Sequence, residues 1–307
     1  MSAQKLKAKK ASSSSSPTHT TPPPPPNKLW FPYARYTSLV GVHAGLVAFV
    51  AAVLPRSPFS DFSSPAAARS KPRRAPLVML TESPARTLVW LCLGSVVLQL
   101  WWAGWVRDWR LEASAQRTER RLRREEWDKQ KGAVSAGWRA LLATLGTSAA
   151  LHIIIVLFGA PLASHILETY LLSLLLATLT VYAPAYALGV PSLQSDTESL
   201  VRRLTWVRLF AELQPRNQIE RALVYPAIGT VLGCWAGVIP VGLDWDRPWQ
   251  AWPLTPAWGA MAGYVLGSLW AMTVTNVKEI VDLGISATET DALEGKVSKK
   301  KSKKKSA

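Results

Sequence analysis

Ala222-Leu-Val-Tyr-Pro-Ala-Ile-Gly-Thr-Val-Leu-Gly-Cys-Trp-Ala-Gly-Val-Ile-Pro-Val241 runs without a charge and places glycine at 229, 233 and 237. Crossing a hydrocarbon core of roughly 30 Å takes about 20 apolar residues as a helix, whose backbone satisfies its own hydrogen bonds. This stretch has that length. Moving outward, five further apolar blocks appear at 37–54, 88–106, 140–160, 166–188 and 254–274. Trp101, Trp102, Trp105, Trp249 and Trp252 crowd block ends, as suits side chains with an apolar body and a polar tip. The pattern predicts an all-α integral membrane protein with about six transmembrane helices.

The last block carries a second glycine row, Gly259, Gly263 and Gly267. Glycines four apart share one helix face and let another helix approach closely, which matters where lipid supplies no hydrophobic drive for association. Gly229 and Gly267, Gly233 and Gly263, and Gly237 and Gly259 are each symmetric about Pro248, so two antiparallel rows can meet at equal depth. Small residues are also common in membrane helices generally, and each row can instead face another helix or subunit.

The net charge is +16, from 36 Lys and Arg against 20 acids. The basic residues sit in tails and inter-helix loops, with no zinc-finger, RRM or KH pattern, so nucleic acid is not an expected partner and anionic lipid headgroups are. With the amino terminus cytosolic, the cytosolic segments hold 6, 10, 5 and 8 basic residues and the lumenal ones 6, 0 and 1. That split of 29 against 7 places both termini in the cytosol, despite Arg69, Lys71, Arg73 and Arg74 in the first lumenal loop. The layout is then a disordered cytosolic tail (1–36), helices 1–2 (37–106) and a charged cytosolic helix or loop (107–139). Helices 3–4 (140–188), a cytosolic loop (189–221), helices 5–6 (222–274) and a basic cytosolic tail (275–307) follow. Ser12–Ser16 and Pro22–Pro26 mark the first tail as unable to bury a core. Glu119 with Arg123 and Glu125 with Lys129 are helix-supporting pairs in the charged segment. Cys92 and Cys234 are too few and too apolar in setting for a disulfide framework or zinc site.

Between the glycine rows lies a short, dense segment, Ile239-Pro-Val-Gly-Leu-Asp-Trp-Asp-Arg-Pro-Trp-Gln-Ala-Trp-Pro253. Asp244, Asp246 and Arg247 can neutralise one another there, with the indoles of Trp245, Trp249 and Trp252 anchored at the interface. Two Asp are too few to hold a magnesium-class ion; His165 and Glu168 could contribute in principle, but their plainer role is interfacial hydrogen bonding. Gly237-Val-Ile-Pro240, Leu243-Asp-Trp-Asp-Arg-Pro-Trp-Gln250 and Trp252-Pro253 resemble the signature of the Pig-F family of glycosylphosphatidylinositol (GPI) anchor biosynthesis. The similarity runs from about Glu220 to Ala271, with Gly242 standing where a second proline is expected. It implies a non-catalytic subunit of the endoplasmic reticulum, needing no cofactor, that stabilises the large transferases adding ethanolamine phosphate to GPI mannoses. It also makes Asp244, Trp245, Asp246, Arg247, Pro248, Trp249, Gln250 and Trp252 the candidate partner-binding motif. Lys304 and Lys305, third and fourth from the end, match a dilysine retrieval signal, although a lysine-rich tail also matches by chance.

Two other classes fit less well. A membrane-embedded lipid phosphotransferase of the CDP-alcohol type needs clustered aspartates on its helices, which this sequence lacks. A lipid transporter or scramblase would mark its path with intramembrane ionisable groups. The candidates His43, His152 and Glu168 are isolated, and each His is expected to be neutral and bonded to a neighbouring helix. The charge split makes a direct prediction about sidedness. A glycosylation sequon in a spacer within 242–253 will be modified, and one at either terminus will not. The reverse pattern overturns the orientation.

Overall fold

The computed structural model describes residues 31–56, 81, 83–115, 125–243, 245 and 247–305, and all regular elements among them are helical. We label them α1 (Tyr33–Ala52), α2 (Pro84–Ala115), α3 (Glu125–Leu157), α4 (Ile166–Leu188), α5 (Thr197–Trp206), α6 (Gln218–Val238) and α7 (Leu254–Lys305). Five stretches are long and apolar enough to cross a membrane: Tyr33–Ala52, Pro84–Glu112, Gly132–Leu157, Ile166–Leu188 and Gln218–Gly242. Five of the six expected blocks thus meet this measure of length and composition among the described residues. The block at the head of α7 is diluted by its glycines and indoles. The tail before residue 31, the basic loop around Arg69 to Arg74 and the side-chain pairs of 119–129 lie outside the described residues.

Several helices outrun their apolar blocks. α2 continues to Ala115, α3 begins at Glu125, and α7 passes residue 274 without a break to Lys305. Lys, Ala and Glu are the commonest residues of these extensions, and good helix formers carry a helix on where apolarity stops. α3 ends where Gly159 takes a φ of 103°, a left-handed conformation that closes the helix through Gly159 N donating to Val156 O.

α4 is the central helix. Within the membrane-length windows, 78% of α4 is buried against 17% of α3. Leu172 and Leu175 of α4 meet Val47 of α1, Leu88 and Leu91 of α2, and Ala260, Met261 and Tyr264 of α7 in one core. Residues Thr178–Tyr182 widen into a π turn just before Pro184, whose ring lacks an N–H and crowds the preceding turn. α5 is capped by Asp196, which accepts from Ser199 N at 3.1 Å. The hydrogen bonds from Ser199 hold the Asp196 carboxyl below its ordinary value. His43 keeps the expected bond to a neighbouring helix, through the backbone of Leu98 on α2, while His152 meets its neighbour by ring contact. The His43 ring stacks on Trp102 at 5.1 Å, and His152 meets Tyr170 edge-on at 5.9 Å. His43 Nε2 and His152 Nδ1 find no hydrogen-bond partner among the described residues.

At one end of the bundle, α6 is tied down by a knot of charge. Arg208 donates to both Glu220 oxygens, at 2.9 and 2.7 Å, and also to Gln214 O at 2.7 Å. Glu220 accepts a further bond from Arg216 N at 2.7 Å, while its own N–H donates to Asn217 Oδ1 at 2.8 Å. Beside it Arg221 Nε donates to Thr275 of α7, Gln218 to the Tyr33 hydroxyl, and Asn276 to Thr37. These bonds fasten the start of α6 to α1 and to the middle of α7.

From there α6 and α7 run antiparallel with their glycines face to face. A Cβ added at Gly229 would lie 2.1 Å from Gly263 O, and one at Gly263 1.9 Å from Gly229 O. Gly233 and Gly259 stand in the same relation, at 2.1 and 2.2 Å. Gly237 faces Thr255 O and Gly267 faces Tyr225 O, both at 2.4 Å. The α-carbons pair 229 with 267, 233 with 263 and 237 with 259, and every Cβ position is filled by a partner carbonyl. Even alanine does not fit at these positions without parting the helices.

Two stability predictions follow from this geometry. Gly233→Ala or Gly263→Ala will cost about 1–3 kcal/mol, the usual range for overpacking. Gly146→Ala, where nothing lies within 4 Å, will be neutral or slightly stabilising. Thermal unfolding in detergent and steady-state abundance measure both, and equal behaviour of the two classes contradicts the seam. Glu220→Ala strips the nearly buried Arg208 of its bidentate acceptor and will cost about 3 kcal/mol, the lower end for breaking a buried pair. An unchanged melting midpoint contradicts that.

Candidate functional site

The segment joining α6 to α7 folds back on itself by short-range bonds. Pro240 helps end α6 and turns Ile239–Gly242 into a 3-10 coil. Trp245 N donates to Leu243 O at 2.8 Å, and Pro248–Gln250 form a second 3-10 turn. The peptide between Trp252 and Pro253 is cis, and α7 starts at Leu254. One side chain closes this loop. The Gln250 amide donates to Pro240 O at 2.8 Å and to Leu243 O at 2.7 Å, and its oxygen accepts from Arg247 N at 2.7 Å. One carboxamide thus supplies an acceptor to Arg247 N and a second donor to the carbonyls of Pro240 and Leu243, which also accept from Leu243 N and Trp245 N.

Trp252 fastens the turn to the bundle. Its indole N–H donates to Thr169 Oγ1 at 3.0 Å, and the fully buried Thr169 hydroxyl donates in turn to His165 O at 2.9 Å. The turn therefore sits against the first turn of α4. His165 caps that helix with a φ of 57°, and its Nδ1 lies 3.8 Å from Glu168 Oε1. No third carboxylate, His or Cys joins that pair among the described residues.

The outward surface of the turn is aromatic and basic. Trp245 and Trp249 meet edge-on at 5.7 Å, Trp245 is 55% exposed, and Arg247 and Pro248 are exposed beside them. Asp244 and Asp246 lie outside the described residues, and with them the expected neutralisation by Arg247. Lys304 and Lys305 are the last residues of α7, and their side chains also lie outside the described set.

The structure thus brings Trp245, Arg247, Pro248, Trp249, Gln250 and Trp252 into one turn and separates it from Lys304 and Lys305 by the length of α7. Sequence reasoning treated Gln250 as one motif residue among eight and did not reach Thr169 at all. A glutamine flanked by Trp and Pro residues was the available signal for the first. For the second, 83 residues away, there was none.

Comparison with known proteins extends the match well upstream of the turn. A family model described as GPI biosynthesis protein family Pig-F matches residues 74–272, against the 220–271 over which the motif resemblance runs. The chain is 39% identical over 117 residues to a mouse protein named GPI ethanolamine phosphate transferase, stabilizing subunit, covering 38% of this chain and 48% of the relative. The human protein of the same name is 38% identical over 116 residues, with the same coverage. A protein of Debaryomyces hansenii named glycosylphosphatidylinositol anchor biosynthesis protein 11 is 41% identical over 129 residues, covering 42% of this chain and 50% of that one. The chain thus spans about half the length of the curated relatives it matches. No solved structure matches it at a significant level. With the family model covering well over half of its residues, the chain belongs to the Pig-F family of GPI biosynthesis proteins.

Proposed function

We propose that the protein is a non-catalytic subunit of the endoplasmic reticulum membrane. Its role is to stabilise the large transferases that add ethanolamine phosphate to the mannoses of GPI precursors. The observation that carries this reading is the naming of its mouse and human relatives as stabilizing subunits of such a transferase. The geometry of the turn supports it. The polar groups of Gln250 and Trp252 are spent on the protein's own backbone and on Thr169, whereas Trp245 and Arg247 are exposed and Trp249 is partly so. Interfaces draw most of their energy from a few Trp, Tyr and Arg residues, and these are the residue types the turn presents. A rigid platform also loses little entropy when it docks. A subunit that binds the folded partner and not the unfolded one raises the partner's stability by mass action.

The topology that fits this role has six crossings. The head of α7 is packed backbone to backbone against α6 and supplies the sixth, bringing the turn to the lumen and both termini to the cytosol. The split of 29 basic residues against 7 supports that orientation. Bilayer lipids surround the bundle, and nucleic acid has no part in it. Lys304 and Lys305 then lie on the cytosolic side, where a dilysine retrieval signal is read.

Isolation of the tagged chain in mild detergent tests the role. The transferase will co-purify, and the chain alone will transfer no ethanolamine phosphate to GPI precursors. The double variant Trp245→Ala and Arg247→Ala will reach normal abundance but will bind the transferase with a loss of about 2 kcal/mol, roughly thirtyfold in affinity. Gln250→Glu removes both donated bonds while keeping the size of the side chain, and will weaken recovery in the same way. Full partner recovery by both variants removes the turn from the interface, and metal-dependent transfer by the lone chain removes the subunit reading itself.

A further inference from the structure

A cavity of about 750 Å³ lies among α3, α4, α6 and the head of α7, beside the turn. Leu151 and Ile155 of α3, Leu172 and Leu176 of α4, and Val231 and Cys234 of α6 form its walls. Its few polar side chains are already engaged: Thr180 Oγ1 donates to Leu176 O at 2.7 Å, and the Trp252 indole to Thr169. A site so lined offers water few of the two to four partners it needs. Left empty, it would forfeit the dispersion contacts of its whole lining.

Its depth and its mouth identify the occupant. Along α6 and the 3-10 coil that follows it the lining runs from Val231 to Val241, ten residues or about 15 Å. That is half of a hydrocarbon core of about 30 Å, the reach of one leaflet. The mouth side is formed by residues that face away from the bundle: Phe158 is 89% exposed, Trp235 70% and Ile239 58%. In a bilayer these residues face acyl chains. A helix from another protein is 10–12 Å across with its side chains and needs about 30 Å to span, so it cannot enter a cavity one leaflet deep. The volume lies in the range of roughly 300–1,000 Å³ in which small-molecule sites fall.

We propose that this cavity binds an acyl chain of a membrane lipid, entering from the leaflet that borders the 239–253 turn. Trp252 lines the cavity and anchors the turn at once, so the bound chain packs against the base of the turn and helps hold it on α4. Occupancy requires only that α3, α4 and α6 cross the bilayer, and is independent of the subunit role.

The test uses the full chain in vesicles containing phosphatidylcholine or phosphatidylethanolamine with a photoreactive diazirine midway along one acyl chain. Cross-linked peptides are mapped by mass spectrometry. Labelling will concentrate on 151–161 and 231–241, at least fivefold above the lipid-exposed peptide around Val97, which is 64% exposed on α2. Cys234→Trp fills the cavity and will cut the first signal about fivefold while leaving the second unchanged. Should that variant fold poorly, Val238→Trp narrows the cavity from its half-exposed rim and will act in the same direction. Equal labelling by the two lipids names bulk bilayer lipid as the source, and preference for phosphatidylethanolamine names that lipid class. Either result supports an acyl-chain site. Uniform labelling of all exposed faces, or cavity labelling untouched by both substitutions, overturns it.

Discussion

Carbonyl oxygens of Gly229, Gly233, Gly259 and Gly263 occupy the space in which a facing residue would carry its Cβ, and the rest of the bundle is arranged around that contact. In water two helices are pressed together by the apolar surface they hide. In lipid that drive is absent, and attraction must come from close packing. Removing the side chains is the most direct way to obtain it, because two backbones then touch along several turns. The contact also sets depth. With α6 and α7 locked in register, the turn between them is presented at a fixed height, and at the opposite end, beside the Arg208–Glu220 knot, Arg221 ties α6 to Thr275 while Gln218 and Asn276 tie the pair to α1. On the proposed role, a partner meets a surface that is already rigid.

How much of this was legible in the sequence depends on which physical signal each feature leaves. The apolar blocks and the glycine rows are written in local spacing, and both the helices and the glycine faces are where that spacing puts them. The ranking of helices from core to periphery left no such trace. The segment Gly132–Leu157 has the highest mean hydropathy of the five, 2.1, yet it is the least buried, while Ile166–Leu188 at 1.8 is the most buried. Hydropathy separates inside from outside only when the outside is water, and here the outside is lipid. The helical continuation of α7 into the basic tail left no mark for a related reason. Apolarity fades after 274, but nothing in the sequence stops the helix.

The candidate site shows the same division. Its residue types were visible in 243–253, and so was a short turn with its indoles expected at the membrane interface. The bonds that make it compact were not. Gln250 reaches carbonyls seven and ten residues back, and Trp252 reaches a hydroxyl on α4, so neither relation has a local signature. The Arg208–Glu220 pair, twelve residues apart across the left-handed Leu213, escaped for the same reason. Hydrogen bonds between distant segments are consequences of the fold and cannot serve as clues to it.

The length of α7 has a mechanical consequence. Fifty-two residues of unbroken helix extend about 78 Å, more than twice the hydrocarbon thickness, and the glycine seam grips only the first third. The rod is held a second time where Thr275 and Asn276 bond to α6 and α1, so the part beyond is an overhang. From Asn276 to Lys305 it reaches roughly 44 Å, and a tilt of about 5° at that second hold would carry its tip through about 4 Å. A load on the far end of α7 therefore meets the bonds at Thr275 and Asn276 before it meets the seam.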